Sequence, residues 1–279
     1  MKNGKVVFFD IDGTFWDWNW VIPQSAKTAI IKLKENGHFP IICSGRAKGN
    51  ICNKELLSLG FEGIVAACGN HVEYGGKVLY EKYLDDEIVR KIIEASEKCG
   101  VPIVLEGPRK HWISPKGFET DEFVTRMRND MKENAVTLNG YESDIMINKF
   151  SGDVLVSSDF EKFKDDLSVY FNFIEHGLTP DIDRRNDKDF DIVKAVFEVV
   201  PPGSSKAFGI KTLCDYLGTD PKDAYAFGDS NNDLEMIECV GTGIAMGNGT
   251  DSIKKIADYV TDDIWNDGIY NALVHFGLI

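Results

Sequence analysis

The chain has 279 residues and a formal net charge of −14, with 43% hydrophobic and 27% charged residues. That composition is ordinary for a globular enzyme of one or two domains, and its acidity offers no basic footprint for nucleic acid or an anionic membrane. No apolar run approaches membrane-spanning length, and the N-terminus enters a strand without a signal-peptide pattern, so a cytoplasmic protein is expected.

In chain order, Lys5 to Phe9 reads as a buried strand that ends abruptly in Asp10-Ile11-Asp12-Gly13-Thr14, with an aromatic-rich stretch from Phe15 to Trp20 behind it. Pro23 and Ser25 open a helix with an apolar stripe at Ala26, Ala29, Ile30 and Leu33, and Gly37 stops it. Phe39 to Cys43 is a strand, Asn50 to Leu59 a helix, and Ile64 to Ala67 a further strand. This βαβαβ order predicts a parallel sheet with helices on both faces. A hairpin across Gly75-Gly76 follows.

From about Leu84 the texture changes. Helices are expected at Ile88 to Cys99 and Asp159 to Tyr170, and strands at Ile103 to Glu106, His111 to Ser114 and Ile145 to Phe150. Asp181 to Asp191 reads as a return linker, after which Ala195 to Val200, a helix from Ser204 to Leu217 and the strand before Asp229 resume the first pattern. Gly243 to Met246 and Tyr259 to Thr261 supply the last core strands. The expected architecture is α/β, a doubly wound Rossmann-like parallel-sheet core with an inserted α+β cap. Its divisions are residues 1–83 (core), 84–190 (cap) and 191–279 (core).

Two carboxylates at a strand mouth cost desolvation and mutual repulsion unless a cation lies between them. Asp10 and Asp12 are therefore metal-ligand candidates, with an Asx-type turn as the alternative, in which Thr14 bonds back into the turn. A second apolar run decides between them, because Ala224 to Gly228 ends in Asp229-Ser230-Asn231-Asn232-Asp233. Two such strand ends converging at one sheet edge supply hard oxygen ligands suited to Mg²⁺. The six cysteines, Cys43, Cys52, Cys68, Cys99, Cys214 and Cys239, contain no CxxC pair and read as reduced thiols.

Asp10 to Thr14, Cys43-Ser44-Gly45-Arg46, Lys206 ahead of a helix and Gly228 to Asp233 resemble, in order and spacing, the four motifs of the haloacid dehalogenase-like superfamily. The spacing is similar to that of its Cof-type phosphatases, which carry a large α/β cap, and the tail from Ala245 to Ile269 adds to the likeness. The resemblance implies a Mg²⁺-dependent phosphatase acting on a small phosphorylated metabolite, with sugar phosphates favoured. Asp10 would be the nucleophile that becomes an aspartyl-phosphate, and Asp12 the general acid and base. Lys206 would neutralise nucleophile and phosphate, while Ser44, Gly45 and Asn232 would join it around the phosphate. Asp10, Asp12 through its backbone carbonyl, Asp229 and Asp233 would hold the metal.

The cap would choose the substrate, and the expected assembly is a monomer or small homo-oligomer. A phosphomutase or phosphotransferase on the same core, or a non-catalytic binding protein, are the alternatives. Two positions depart from the family pattern: Ala207 follows Lys206 where glycine is common, and Cys68 stands where asparagine is common. Cys68 reads as a structural thiol, with His71 pointing elsewhere. Arg46 is open between a substrate or cap contact and an exposed structural arginine, and Asn248 is a peripheral candidate. Arg109, Lys110, Arg184, Arg185 and Trp112 could meet a substrate or serve only the surface and the core.

Overall fold

The computed structural model describes residues 4–119, 121–177 and 193–279. The chain divides into two compact units, the first drawn from Met1–Arg46, Asn53–Glu81 and Ser204–Ile279, the second from Ala47–Cys52 and Lys82–Gly203. Among the described residues no helix is long and apolar enough to cross a membrane.

In the first unit the strands are β1 (Val6–Phe9), β2 (Phe39–Cys43), β3 (Gly63–Ala66), β4 (His71–Tyr74) and β5 (Lys77–Glu81). Later in the chain this unit adds β12 (Tyr225–Gly228), β13 (Thr242–Ala245) and β14 (Tyr259–Val260). They form one sheet in the order β14-β13-β12-β1-β2-β3-β4-β5. It is parallel from β14 to β3 and antiparallel at the β4–β5 hairpin. Strands β1 and β3 are buried along their whole length, as strands covered on both faces must be. Helices α1 (Gln24–Glu35), α2 (Lys54–Ser58) and α6 (Lys206–Leu217) belong to this unit. Helix α2 is shorter than expected because Asn53 caps it, its Oδ1 accepting from Leu56 N–H at 3.0 Å, so residues 50–53 lie outside it.

The second unit has a six-stranded sheet. Its strands are β6 (Ile103–Glu106), β7 (His111–Ile113), β8 (Ala135–Thr137), β9 (Lys149–Leu155), β10 (Asn172–Gly177) and β11 (Val193–Val200), ordered β10-β11-β9-β6-β7-β8. One face packs on α3 (Asp86–Cys99) and α5 (Phe160–Leu167) through a phenylalanine-rich core of Phe150, Phe160, Phe163, Phe171 and Phe197. The other carries Val104 and Ile113 against Val124, Met127 and Met131 of α4 (Glu122–Met131).

Two expectations are corrected here. The strand Ala195 to Val200, expected to reopen the core, is part of β11 of the second sheet, antiparallel to β9 and β10. Its burial alternates as an antiparallel strand's does, unlike the unbroken burial of β1. The strand expected at Ile145 to Phe150 begins at Lys149, where Lys149, Ser151 and Asp153 alternate with Phe150, Gly152 and Val154. Ile145 and Ile147 are buried in the core without belonging to a strand. Helix α4 was not foreseen, since its stripe is only Val124, Met127 and Met131. The expected linker at Asp181 to Asp191, the boundary at 190/191, Arg184 and Arg185 lie outside the described residues.

His71, at the edge hairpin, lies between two acids, with Nδ1 2.8 Å from Glu81 Oε1 and Nε2 3.0 Å from Glu73 Oε2. Both nitrogens donate only in the imidazolium. Burial pushes the ring's pKa down, but the hydrogen bonds to Glu73 and Glu81 outweigh it and the net shift is upward. A folded value above the unfolded one stabilises fully below the ordinary histidine pKa of about 6.5 and is lost as pH rises through the folded value. Urea midpoints should therefore decline as pH is raised through and above neutrality, and His71→Gln should flatten that decline.

Candidate active site

Strands β1 and β12 are parallel neighbours in register Phe9↔Phe227, so the residues that follow them emerge side by side at the carboxyl edge of the sheet. Asp10 N–H donates to Phe227 O at 3.0 Å, which continues the ladder to the site itself. The rings of Phe9 and Phe227 stack with centroids 5.0 Å apart. Gly13 has φ +79°, and a Cβ there would lie 2.4 Å from Asp229 Oδ2, so the turn needs glycine for both its conformation and its clearance. Thr14 does not serve the turn with its hydroxyl; Oγ1 donates to Asp229 Oδ1 at 3.0 Å and ties the two strand ends together.

Ser205 caps α6 and places Lys206 at its first turn, fully buried. Lys206 Nζ donates to Asp10 Oδ1 and to Asp233 Oδ1, both at 2.5 Å. Asp233 Oδ2 in turn accepts from the N–H groups of Asp229 at 3.0 Å and Ser230 at 3.1 Å, which holds the loop after β12. Asp10, Asp229 and Asp233 each bring a carboxylate oxygen within 4.8 Å of the others, and all three are buried.

Three carboxylates thus crowd together, two of them bonded to one ammonium. Burial, then the nearby Asp233, pushes Asp10 well above the usual carboxylate range despite Lys206. Burial and the same neighbour push Asp229 up to about 7. Burial works against the charge on Lys206, but Asp10 and Asp233 outweigh it and hold the ammonium firmly protonated. A cluster of hard oxygen donors with excess negative charge, walled from solvent, fits a divalent cation.

Asp12 stands apart from this cluster. Its burial alone would raise its pKa, but Arg46 holds the carboxyl below the usual range through a two-pronged ion pair, Nε to Oδ2 and Nη2 to Oδ1, both at 2.6 Å. Trp16 Nε1 also donates to Oδ1 at 2.9 Å. Arg46 is therefore neither exposed nor a surface residue: it is 7% exposed and bound to Asp12. Sequence reading missed both partners of Asp12, although the aromatic run behind Asp12 was a visible signal for Trp16.

Ser44 follows β2, beside β1, and is buried; its Oγ accepts from Arg46 N–H at 3.1 Å, leaving the hydroxyl proton for another acceptor. Gly45 is buried in the same loop. Ala67 and Cys68 both have φ +50°, and their N–H groups donate to Arg46 O at 2.7 Å and Ser44 O at 3.3 Å. Left-handed backbone at two non-glycine residues stores strain, here spent on gripping the Ser44 loop. Asn232 is exposed, with Oδ1 accepting from Ser230 Oγ at 2.8 Å, and takes no part in the carboxylate cluster. Asn248 braces the turn that follows β1, Nδ2 donating to Gly13 O at 2.7 Å and Oδ1 accepting from Ile264 N–H at 3.0 Å. In the second unit Trp112 is a core residue, with Lys110 Nζ 5.2 Å from its ring centroid, and Arg109 is exposed.

Residues 7–273 match the sequence profile of the haloacid dehalogenase-like hydrolases. The chain is 32% identical over 282 residues to YkrA of Bacillus subtilis (strain 168), named provisionally as a phosphatase, with 99% of each chain covered. It is 26% identical to YitU of the same organism, a 5-amino-6-(5-phospho-D-ribitylamino)uracil phosphatase, with 97% of each covered. The crystal structure of a hypothetical protein from Geobacillus kaustophilus HTA426 superposes with a TM-score of 0.81 at 31% identity, covering 99% of this chain and 100% of that one.

The crowding of charge has a measurable consequence. Asp229→Asn removes one buried negative charge, so the metal-free protein at mildly alkaline pH should melt a few degrees higher than the native chain. The same change should abolish the rise in melting temperature that a divalent cation gives the native chain.

Proposed function

Because this chain belongs to the haloacid dehalogenase-like hydrolases, we propose that it is a Mg²⁺-dependent phosphatase that hydrolyses a small phosphorylated metabolite through an aspartyl-phosphate on Asp10. The observation that carries this reading is the buried set of Asp10, Asp229 and Asp233 around Lys206 at the edge of the parallel sheet. A binding module has no use for a nucleophile, its counter-charge and an acid/base residue in one loop system.

Asp10, Asp229 and Asp233 would hold the cation, with the backbone carbonyl of Asp12. When bound, Mg²⁺ supplies the positive charge that lets an anionic nucleophile approach an anionic phosphate. The rest falls to the chain's own groups. A carboxylate oxygen of Asp10 attacks phosphorus, the bond to the substrate's alcohol oxygen breaks, and Asp12 gives that oxygen a proton. Water then attacks the same phosphorus, Asp12 takes its proton, and the Asp10–phosphorus bond breaks to release phosphate. Lys206, at 2.5 Å from Asp10, offsets the nucleophile's charge as the phosphate arrives. The Ser44 hydroxyl and the Gly45 loop would steady the phosphoryl oxygens, with Asn232 as a further contact.

Sugar phosphates are the favoured substrates, and the phosphorylated ribityl chain in the name of YitU's substrate supports a polyhydroxylated leaving group. Substrate choice is assigned to the second unit on family grounds.

Phosphate release measured across sugar phosphates, nucleotides and phosphorylated cofactors should depend on Mg²⁺ and stop with chelator. Asp10→Asn should reduce it to background while leaving the fold intact. Full release by that variant would remove the nucleophile assignment, and an isomeric product with little phosphate would make the protein a mutase.

A further inference from the structure

Asp12 accepts more hydrogen bonds than a turn aspartate needs. Oδ1 takes Arg46 Nη2 at 2.6 Å and Trp16 Nε1 at 2.9 Å, and Oδ2 takes Arg46 Nε at 2.6 Å. A carboxylate offers about four lone-pair sites, two on each oxygen. Oδ1 is therefore saturated, and among the described residues Oδ2 keeps one site without a donor. The Asp12 side chain is 30% exposed against 6% for Arg46, so the carboxylate is the accessible end of the pair.

The donors are themselves held in place. Trp16 is fully buried and stacks on Trp20 with ring centroids 5.7 Å apart and planes 13° from parallel. The Arg46 guanidinium lies 5.1 Å from the Trp16 ring centroid and 4.7 Å from that of Trp20, within cation–π range. Trp20 has φ +62°, a left-handed conformation that strains a non-glycine residue. A local lock holds that conformation: Trp20 N–H donates to Asp17 O at 2.8 Å, and Asp17 Oδ1 accepts from the N–H groups of Asn19 and Val21 at 2.9 Å. Backbone strain is thus maintained in order to set an indole against a guanidinium.

The geometry points to Trp16 and Arg46 as positioning residues that leave Oδ2 of Asp12 as the single atom through which its proton passes, with Trp20 bracing the guanidinium. This rests on the proposed reading of Asp12 as acid and base. In the first transfer, Oδ2 gives its proton to the alcohol oxygen as the phosphorus–oxygen bond breaks; in the second, Oδ2 takes a proton from the attacking water. Without Trp16 Nε1–H, Oδ1 regains a lone pair and the proton divides between two sites, of which one is correctly aimed.

The test compares leaving groups that do and do not need a proton. Acetyl phosphate leaves as a stable carboxylate, whereas an alkyl phosphate ester needs its oxygen protonated, and kcat/KM reports the transfer to Asp10. Trp16→Phe keeps a ring against the guanidinium but removes the donor. Its kcat/KM for the fastest alkyl ester of the phosphate-release panel should fall about tenfold further than that for acetyl phosphate, part of the ~10²–10⁴-fold typical of general acid catalysis. Arg46→Lys, which cannot present two adjacent donors, should show the same bias and serves if Trp16→Phe does not fold. Equal losses on both substrates in folded variants would mean that the cluster only packs, and would overturn the inference. Asp12→Asn separates this from the parent reading. A bias there without one in Trp16→Phe or Arg46→Lys removes only the positioning role, whereas no bias in Asp12→Asn removes the acid/base assignment.

Discussion

Lys206 lies 2.5 Å from Asp10 and from Asp233 with no side-chain surface exposed, and on that contact the organisation of the first unit depends. A buried ammonium and its carboxylates are costly to desolvate, and removing one partner of such a pair typically costs about 3–5 kcal/mol. The chain meets the cost by fixing every member. Ser205 caps the helix that carries Lys206, two backbone N–H groups hold Asp233, Thr14 holds Asp229, and the sheet ladder extends to Asp10. What stays uncompensated is the excess of carboxylate over ammonium, and that excess is the feature that suits the proposed cation.

The two strand-end acids divide into different environments although they are two residues apart. Asp10 sits in the cluster, where burial and like charge oppose its ionisation; Asp12 turns to Arg46, whose guanidinium outweighs burial and holds the carboxyl below the usual range. Environments that push neighbouring carboxyl groups in opposite directions are how one loop supplies groups for different tasks. Gly13 makes the separation possible, because only a residue without Cβ leaves Asp229 room beside the turn.

The core strands and the acids at their ends were legible because parallel strands buried on both faces are unbroken apolar runs, and carboxylates at their mouths interrupt the pattern conspicuously. The second unit was less so. Lys149, Ser151 and Asp153 alternate with apolar neighbours in β9, but the apolar Ile145 and Ile147 beside them drew the strand forward. Val193–Val200 resembled a core strand in composition, and only its alternation marked it as antiparallel. Within the site, spacing pointed to Asp10, Asp229, Asp233 and Lys206 but not to what Thr14, Trp16 and Arg46 touch, since those contacts depend on side-chain direction across a folded turn.

In the proposed mechanism Asp10 is the group that accepts the phosphoryl group. Mass spectrometry of the acid-quenched protein, taken during turnover of its fastest substrate with Mg²⁺, tests it directly. One phosphoryl group is expected on the peptide containing Asp10, localised to that carboxylate and absent from Asp10→Asn. A phosphoryl group on another residue, or steady phosphate release with no covalent adduct under conditions that trap acyl phosphates, would contradict it.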